Sequence, residues 1–125
     1  MKCPFCLSEK KLNEKMLCES EFAFAMEDEY PVSQGHTLII PKRHVENYFD
    51  LTKDELIDMW LLVNRVKDII EAYNHPDGYN IGVNVDKAGG QTVPHVHIHI
   101  IPRYIGDVKN PKGGIRGVIP DKQKY

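Results

Sequence analysis

Between His95 and Pro102 the chain reads His-Val-His-Ile-His-Ile-Ile-Pro. Imidazoles and aliphatic side chains alternate with a period of two, the period of a β-strand and not of a helix. A strand over Val93–Ile101 puts His95, His97 and His99 on one face and Val96, Ile98 and Ile100 on the other. The aliphatic face anchors the strand in a core and holds the three rings rigidly. Half of the six histidines stand in the five residues from His95 to His99. Packing alone gives no reason for three imidazoles in strict alternation, so this face is read as the functional one.

The remaining elements follow from local pattern. Thr52-Lys-Asp-Glu55 is a capping box, in which hydroxyl and carboxylate satisfy amides of a first helical turn. Behind it Leu56, Met59, Trp60, Val63, Val66, Ile69 and Ile70 recur at helical spacing, predicting a helix from Thr52 to about Tyr73 with Trp60 in its core stripe. Pro76-Asp-Gly78 ends it. Short β-rich runs predict further strands over Phe22–Met26, Thr37–Ile40 and Tyr79–Val85. Strand, strand, helix, strand, strand with short links is an α+β domain, a mostly antiparallel sheet with one long helix. With 125 residues, 42% of them hydrophobic, the chain is expected to be one domain over 1–125.

Charge narrows the function classes. Net charge is -2, which argues against a dedicated nucleic-acid binder or an anionic-membrane binder. No apolar run has the ~18 residues of a membrane span and no signal-peptide core opens the chain. Three cysteines, two of them in Cys3-Pro-Phe-Cys6, do not make a disulfide framework, and a cytoplasmic location is expected. The tail from Arg103 to Tyr125 is set apart. It carries six basic residues against Asp107 and Asp121, a local +4 that leaves -6 for the rest. Such asymmetry suits contact with something anionic, either a phosphate ligand or an acidic surface, or a solvated lysine-rich end. Its Gly and Pro content predicts turns in place of regular structure.

Two chemistries fit the histidine face. The rings could ligate a catalytic metal, since ligands two apart on a strand reach one ion. Alternatively one imidazole is a nucleophile whose neighbours set its tautomer and bind substrate. Gly89-Gly90-Gln91-Thr92, just before the strand, favours the second. Backbone amides, a side-chain amide and a hydroxyl are neutral donors suited to phosphate oxygens. Cys3-x-x-Cys6 is by itself ambiguous between a redox pair, a zinc knuckle and two ordinary thiols. No βαβ pattern follows it, which counts against thioredoxin-like chemistry.

The segment His95 to Ile101 resembles the signature of the histidine-triad family, His-apolar-His-apolar-His-apolar-apolar, at every position. Gly35-His36-Thr-Leu-Ile-Ile-Pro41-Lys is similar to the family's other strand motif, and Gly-Gly-Gln-Thr stands at its phosphate loop. The resemblance covers nearly the whole chain. It implies nucleotide hydrolase or transferase chemistry at an α-phosphate, with His97 as nucleophile and a nucleotidyl-histidine intermediate. It further implies that His99 contacts the phosphate, that buried His36 supports the triad, and that Gly90, Gln91 and Thr92 cradle phosphate, Gln91 counting among the catalytic group. Asp28, eight residues before His36, takes the position of a ribose-binding group. Asn84 takes that of a polar nucleotide contact. Phe5 and Met26 are the candidates to flank the base.

Some members of the family bind zinc through a Cys-x-x-Cys pair, a histidine after the second strand motif, and the first triad histidine. The resemblance therefore implies one structural zinc per chain on Cys3, Cys6, His44 and His95, leaving His97 and His99 for chemistry. Cys18 is then an ordinary small side chain and His75 an exposed turn residue. Ile101-Pro102-Arg103 resembles the Leu-Pro-Arg that follows the triad in the Fhit-like dinucleoside polyphosphate hydrolases. The Gly-Gly-Arg continuation of the purine-nucleoside phosphoramidases is absent. The expected substrate is thus a purine dinucleotide of the diadenosine-tetraphosphate type, with magnesium admitted as a companion of its polyphosphate and a homodimer as the assembly. Arg103, Lys109, Lys112 and Arg116 are the cations expected to meet phosphates beyond the first. Phosphoramidate hydrolysis, or a nucleotide-binding module with little turnover, are the alternatives.

Overall fold

The computed structural model describes residues 3–6 and 14–125. Five strands, β1 (Met16–Glu19), β2 (Ala23–Glu27), β3 (Thr37–Pro41), β4 (Gly78–Val83) and β5 (Ile98–Arg103), form one sheet in the order β1-β2-β3-β5-β4. Every neighbouring pair is antiparallel. The helix α1 (Lys53–Asn74) lies across β2 and β3 on one face. This is the α+β architecture expected, with an edge strand, β1, that its four residues Met-Leu-Cys-Glu did not announce. No described helix is long and apolar enough to cross a membrane.

Alternation within β2 explains how the layers fit. Ala23 and Ala25 face the helix, and their small side chains let it approach, while Phe24 and Met26 face the other way. Met59, Leu62, Val63, Val66 and Ile70 fill the space between helix and sheet with Ile39, Ile98 and Ile100. The opposite face is not bare. Phe24, Met26, Leu38 and Ile40 make a second apolar platform, against which Phe5 and Met16 pack.

The capping box forms as expected: Thr52 Oγ1 accepts from the Glu55 amide at 3.1 Å and Glu55 Oε1 from the Thr52 amide at 2.9 Å. His75, in the left-handed conformation at φ 54°, terminates the helix. The stripe differs in one member. Trp60 is 40% exposed on the helix flank, its indole N–H donating to the Tyr48 hydroxyl at 3.2 Å, and Leu62 takes the core position. Trp60 stands about 100° around the helix from buried Met59, which places it at the edge of the stripe.

The histidine strand is shorter at its start than the alternation predicts, beginning at Ile98 and running on to Arg103. Pro94 has no amide hydrogen for a ladder. The His95 amide closes a tight turn onto the Val93 carbonyl at 2.8 Å, and the Val96 amide donates to the Val45 carbonyl at 2.7 Å. The segment before Ile98 is therefore bound to the loop after β3 and not to a neighbouring strand. Pro102 is tolerated in β5 because β3 pairs only with Ile98–Ile100, so no β3 acceptor waits opposite it.

Candidate active site

His97, immediately before β5, and His99, its second residue, have ring centroids 4.8 Å apart, and His36, just before β3, is 5.2 Å from His99. His95 is turned elsewhere. Its ring faces Cys3, Cys6 and His44, so the three imidazoles of the alternating segment divide between two sites.

Backbone hydrogen bonds fix the proton positions. His97 is 8% exposed, and its Nδ1 lies 2.9 Å from the His95 carbonyl, which can only accept. The proton is therefore on Nδ1 and the lone pair on Nε2. His36 is set from the other side: its Nδ1 accepts from the Val32 amide at 3.1 Å. Its Nε2 must carry the hydrogen, which it donates to His99 Nδ1 at 3.0 Å, with Asp28 Oδ2 at 3.5 Å. His99 is left with a hydrogen on Nε2. A lone pair on His97 and a donor on His99 thus stand side by side.

The electrostatics keep these rings neutral. Burial pushes His97 and His36 below the ordinary imidazole value, more strongly than Asp28 raises them. His99 is lowered to about 4, first by burial and then by its neighbours His97 and His36. Neutral rings are what nucleophilic attack by imidazole requires.

Cys3, Cys6, His44 and His95 bring one ligand atom each to within 4.8 Å of one another. The sulfur–nitrogen separations are 3.0 Å for Cys6–His44 and 3.4 Å for His95 to each thiol. A tetrahedral ion with bonds of about 2.0–2.3 Å sets its ligand atoms about 3.3–3.8 Å apart, so the two His95 separations fit and the Cys6–His44 pair has only to open by a few tenths of an ångström. His95 Nε2 donates to the Pro41 carbonyl at 2.8 Å, which directs the Nδ1 lone pair at the thiols. The set could hold a metal. Asp28, His36 and His99 also approach within 4.8 Å, but His36 carries its hydrogen on the nitrogen that would ligate. His97 belongs to neither group, so the reading of a catalytic ion on the three alternating histidines loses its geometry.

Around this centre the other expected residues take several places. Asp28 follows β2, accepting from the Tyr30 amide at 2.8 Å through Oδ1 and leaving Oδ2 beside His36 and His99. Phe5 packs edge-on against His97 at 5.0 Å. Met26 is 4% exposed, part of the platform under Phe5, and offers little surface to a base. Asn84, Gly90 and Thr92 are exposed. Gln91 departs from its expected role. Its amide donates to the Glu46 carbonyl at 2.7 Å and the Val93 carbonyl at 3.0 Å, and its oxygen accepts from the Asp86 amide. Both donors are thus engaged in folding the loop, as are the Gly90 amide, on the Lys87 carbonyl at 3.0 Å, and the Gln91 amide, on the Asp86 carbonyl at 3.1 Å, which leaves the exposed Thr92 to meet a ligand. Asp86, at φ 61° and ψ 174°, holds a conformation usual for glycine, and its carboxylate accepts from Asn47 Nδ2 at 3.1 Å.

Sequence reasoning missed the groups that set the tautomers, because the Val32 amide and the Pro41 and His95 carbonyls are backbone atoms without a side-chain signature. It also missed that Arg43, beside His44, forks onto Glu55 at 2.8 and 3.0 Å.

A known domain matches this arrangement. Residues 9–106 match the HIT domain model. A bis(5'-adenosyl)-triphosphatase of Dictyostelium discoideum is 44% identical over 91 residues, which are 73% of this chain and 61% of the relative. An asymmetrical bis(5'-nucleosyl)-tetraphosphatase of Schizosaccharomyces pombe is 46% identical over 77 residues, 62% of this chain and 42% of the relative. The chain thus spans about three fifths or less of these two relatives. Among solved structures, a zinc-bound histidine triad family protein from Mycobacterium smegmatis superposes with a TM-score of 0.74 at 33% identity, covering 86% of this chain and 78% of its own. Domain match, fold and paired histidines agree, and the chain belongs to the HIT domain family.

Proposed function

We propose that this protein is a nucleotidyl hydrolase that cleaves dinucleoside polyphosphates at the α-phosphate through a covalent nucleotidyl-His97 intermediate. The observation that carries the reading is the bond from His97 Nδ1–H to the His95 carbonyl. It leaves the Nε2 lone pair free and supports the positive charge that the ring acquires when Nε2 bonds to phosphorus. The substrate class is supported by relatives named as a bis(5'-adenosyl)-triphosphatase and a bis(5'-nucleosyl)-tetraphosphatase.

In the first step Nε2 attacks the α-phosphorus and the bond to the bridging oxygen breaks. The remaining polyphosphate leaves with the electron pair and, being a stable anion near neutral pH, needs no acid. His99 Nε2–H donates to a non-bridging oxygen and stabilises the charge gathered there. In the second step water attacks phosphorus, the P–N bond breaks, the pair returns to Nε2, and the proton of the water passes to solvent. Asp28 Oδ2 accepts from a ribose hydroxyl, Phe5 borders the base, and Thr92 and Asn84, both exposed, donate to phosphate oxygens. Magnesium accompanies the polyphosphate.

We assign zinc to Cys3, Cys6, His44 and His95, as a structural ion that fastens residues 3–6 beside His97 and takes no part in a bond-making step. A homodimer would use β4, which ends the sheet and has Ile81 exposed on it. Rapid quenching during turnover of diadenosine tetraphosphate tests the mechanism. One adenylyl adduct on His97 by mass spectrometry is expected, with kcat down by at least about 10³ in His97→Ala. Undiminished turnover in that variant would overturn the reading.

A further inference from the structure

Residues 104–125 contain no strand and no helix beyond short 3-10 turns, yet their path is specified. Gly113 has φ 89°, and a Cβ there would collide with the Gln123 carbonyl. That carbonyl accepts from Arg116 Nε at 3.3 Å, and the Gln123 amide donates to the Lys112 carbonyl at 3.3 Å. Arg116 and Lys112 flank the Tyr125 ring at 4.7 and 5.0 Å, and Lys112 Nζ donates to a Tyr125 oxygen at 2.7 Å. Arg103 forks onto Asp107 at 2.7 and 2.9 Å and donates to Asn80 at 2.6 Å. Three of the four cations that the sequence offers to a polyphosphate are thereby engaged in building the tail. Lys109 and Lys124 have no ion pair among the described residues.

Both of these lysines border a cleft of about 930 Å³ between the tail and the outer face of β4 and β5. The volume lies within the roughly 300–1,000 Å³ of small-molecule sites. Ile101, Ile115 and Val118 give it apolar surface, and Ser33, whose buried Oγ lacks a partner among the described residues, stands in its wall. The cleft adjoins the triad. Ile101 is two residues along β5 from His99, about 7 Å at the rise of a strand. Ile115 lies 4.0 Å from the position of a Cβ on Gly82, the residue paired with His99. Asp28 and Phe5, assigned to the first nucleoside, lie with β2 and β3, whereas the tail covers β4 and meets the β2–β3 connection only beyond Asp28, where the Tyr104 hydroxyl donates to the Gln34 carbonyl at 2.6 Å.

We infer that this cleft receives the second, leaving nucleotide of the dinucleotide, with Lys109 and Lys124 on its distal phosphates and Ile101, Ile115 and Val118 against its nucleoside. The inference rests on the hydrolase reading above. A tri- or tetraphosphate bridge held at its α-phosphorus by His97 would place the second nucleoside at this remove. The tail then acts as a gauge of the leaving group, favouring long anionic ones over a simple amine.

The test compares two substrates on one pair of proteins. In the Lys109→Ala/Lys124→Ala double variant, KM for diadenosine tetraphosphate rises about ten-fold, as expected for two partly exposed charge contacts. With adenosine 5'-phosphoramidate, whose leaving group is ammonia, kcat/KM changes by less than about two-fold. Equal shifts on both substrates, or no shift on either, overturn the inference while the hydrolase reading stands. Wild-type protein that turns over the phosphoramidate and no dinucleotide overturns the hydrolase reading, and this inference with it.

Discussion

At the scale of single residues the histidines are distinguished by what holds each ring. His36 is a positioning residue: it donates to His99 Nδ1 and so determines which nitrogen of His99 carries a hydrogen. A His36→Phe variant removes that donor, and kcat should fall about ten- to hundred-fold with little change in KM, as for loss of an outer partner. His36→Gln, able to donate again, should recover part of kcat, which steady-state kinetics on both variants would show. The pH dependence of stability follows from His99, lowered to about 4 against an ordinary 6.5. Between these values the unfolded chain binds a proton that the folded chain excludes, so stability decreases as pH falls from about 6.5 towards 4 and is unaffected by this group at higher pH. Denaturant titrations across that range should show a shallower decline in His99→Gln than in wild type. The three histidines were plain in the sequence as a pattern, but their separate duties were not. Those depend on the His95 carbonyl, the Pro41 carbonyl and the Val32 amide, all backbone groups brought close by folding.

At the scale of elements, the N-terminus of α1 does more than cap itself. Glu55 is buried, accepts from the Thr52 amide, and is gripped by Arg43. The hydrogen bonds from Arg43 lower its carboxyl below the usual range, against the opposing effect of burial. The helix is thus tied to the loop that carries His44. Glu55→Gln should cost about 1–3 kcal/mol in urea unfolding, since it leaves a charge-assisted bond unmade. An unchanged midpoint would show that the fork contributes nothing. The capping box was legible because both halves lie within four residues. Arg43 was not, because its partner is twelve residues away in sequence and nothing local marks the pair. The early start predicted for the histidine strand failed for a related reason: alternation reports which faces are buried, and the Val96 amide found its acceptor in the Val45 loop. β1 is short and has no β-branched residue, so its pairing with β2 left no pattern to read.

At the scale of the whole molecule the N-terminal residues 3–6 lie far from the triad in sequence and beside it in space. Phe5 touches His97, and Cys3 and Cys6 reach His95, two residues before it. A zinc ion at these four ligands would close a loop of about ninety residues, and loop closure of this size constrains the unfolded chain strongly. Metal analysis of the purified protein should find one zinc per chain. A strong chelator should lower Tm by several degrees, in proportion to zinc released, with added zinc restoring it. Activity should decline in step with the loss of structure around Phe5, and the Cys3→Ser/Cys6→Ser variant should reproduce the chelated state while retaining a reactive His97. If chelation abolished turnover with Tm unmoved, the ion would have to be engaged in the chemistry itself. The geometry opposes that outcome, because His95 directs its lone pair to the thiols and His97 keeps its own free of any cluster of ligands.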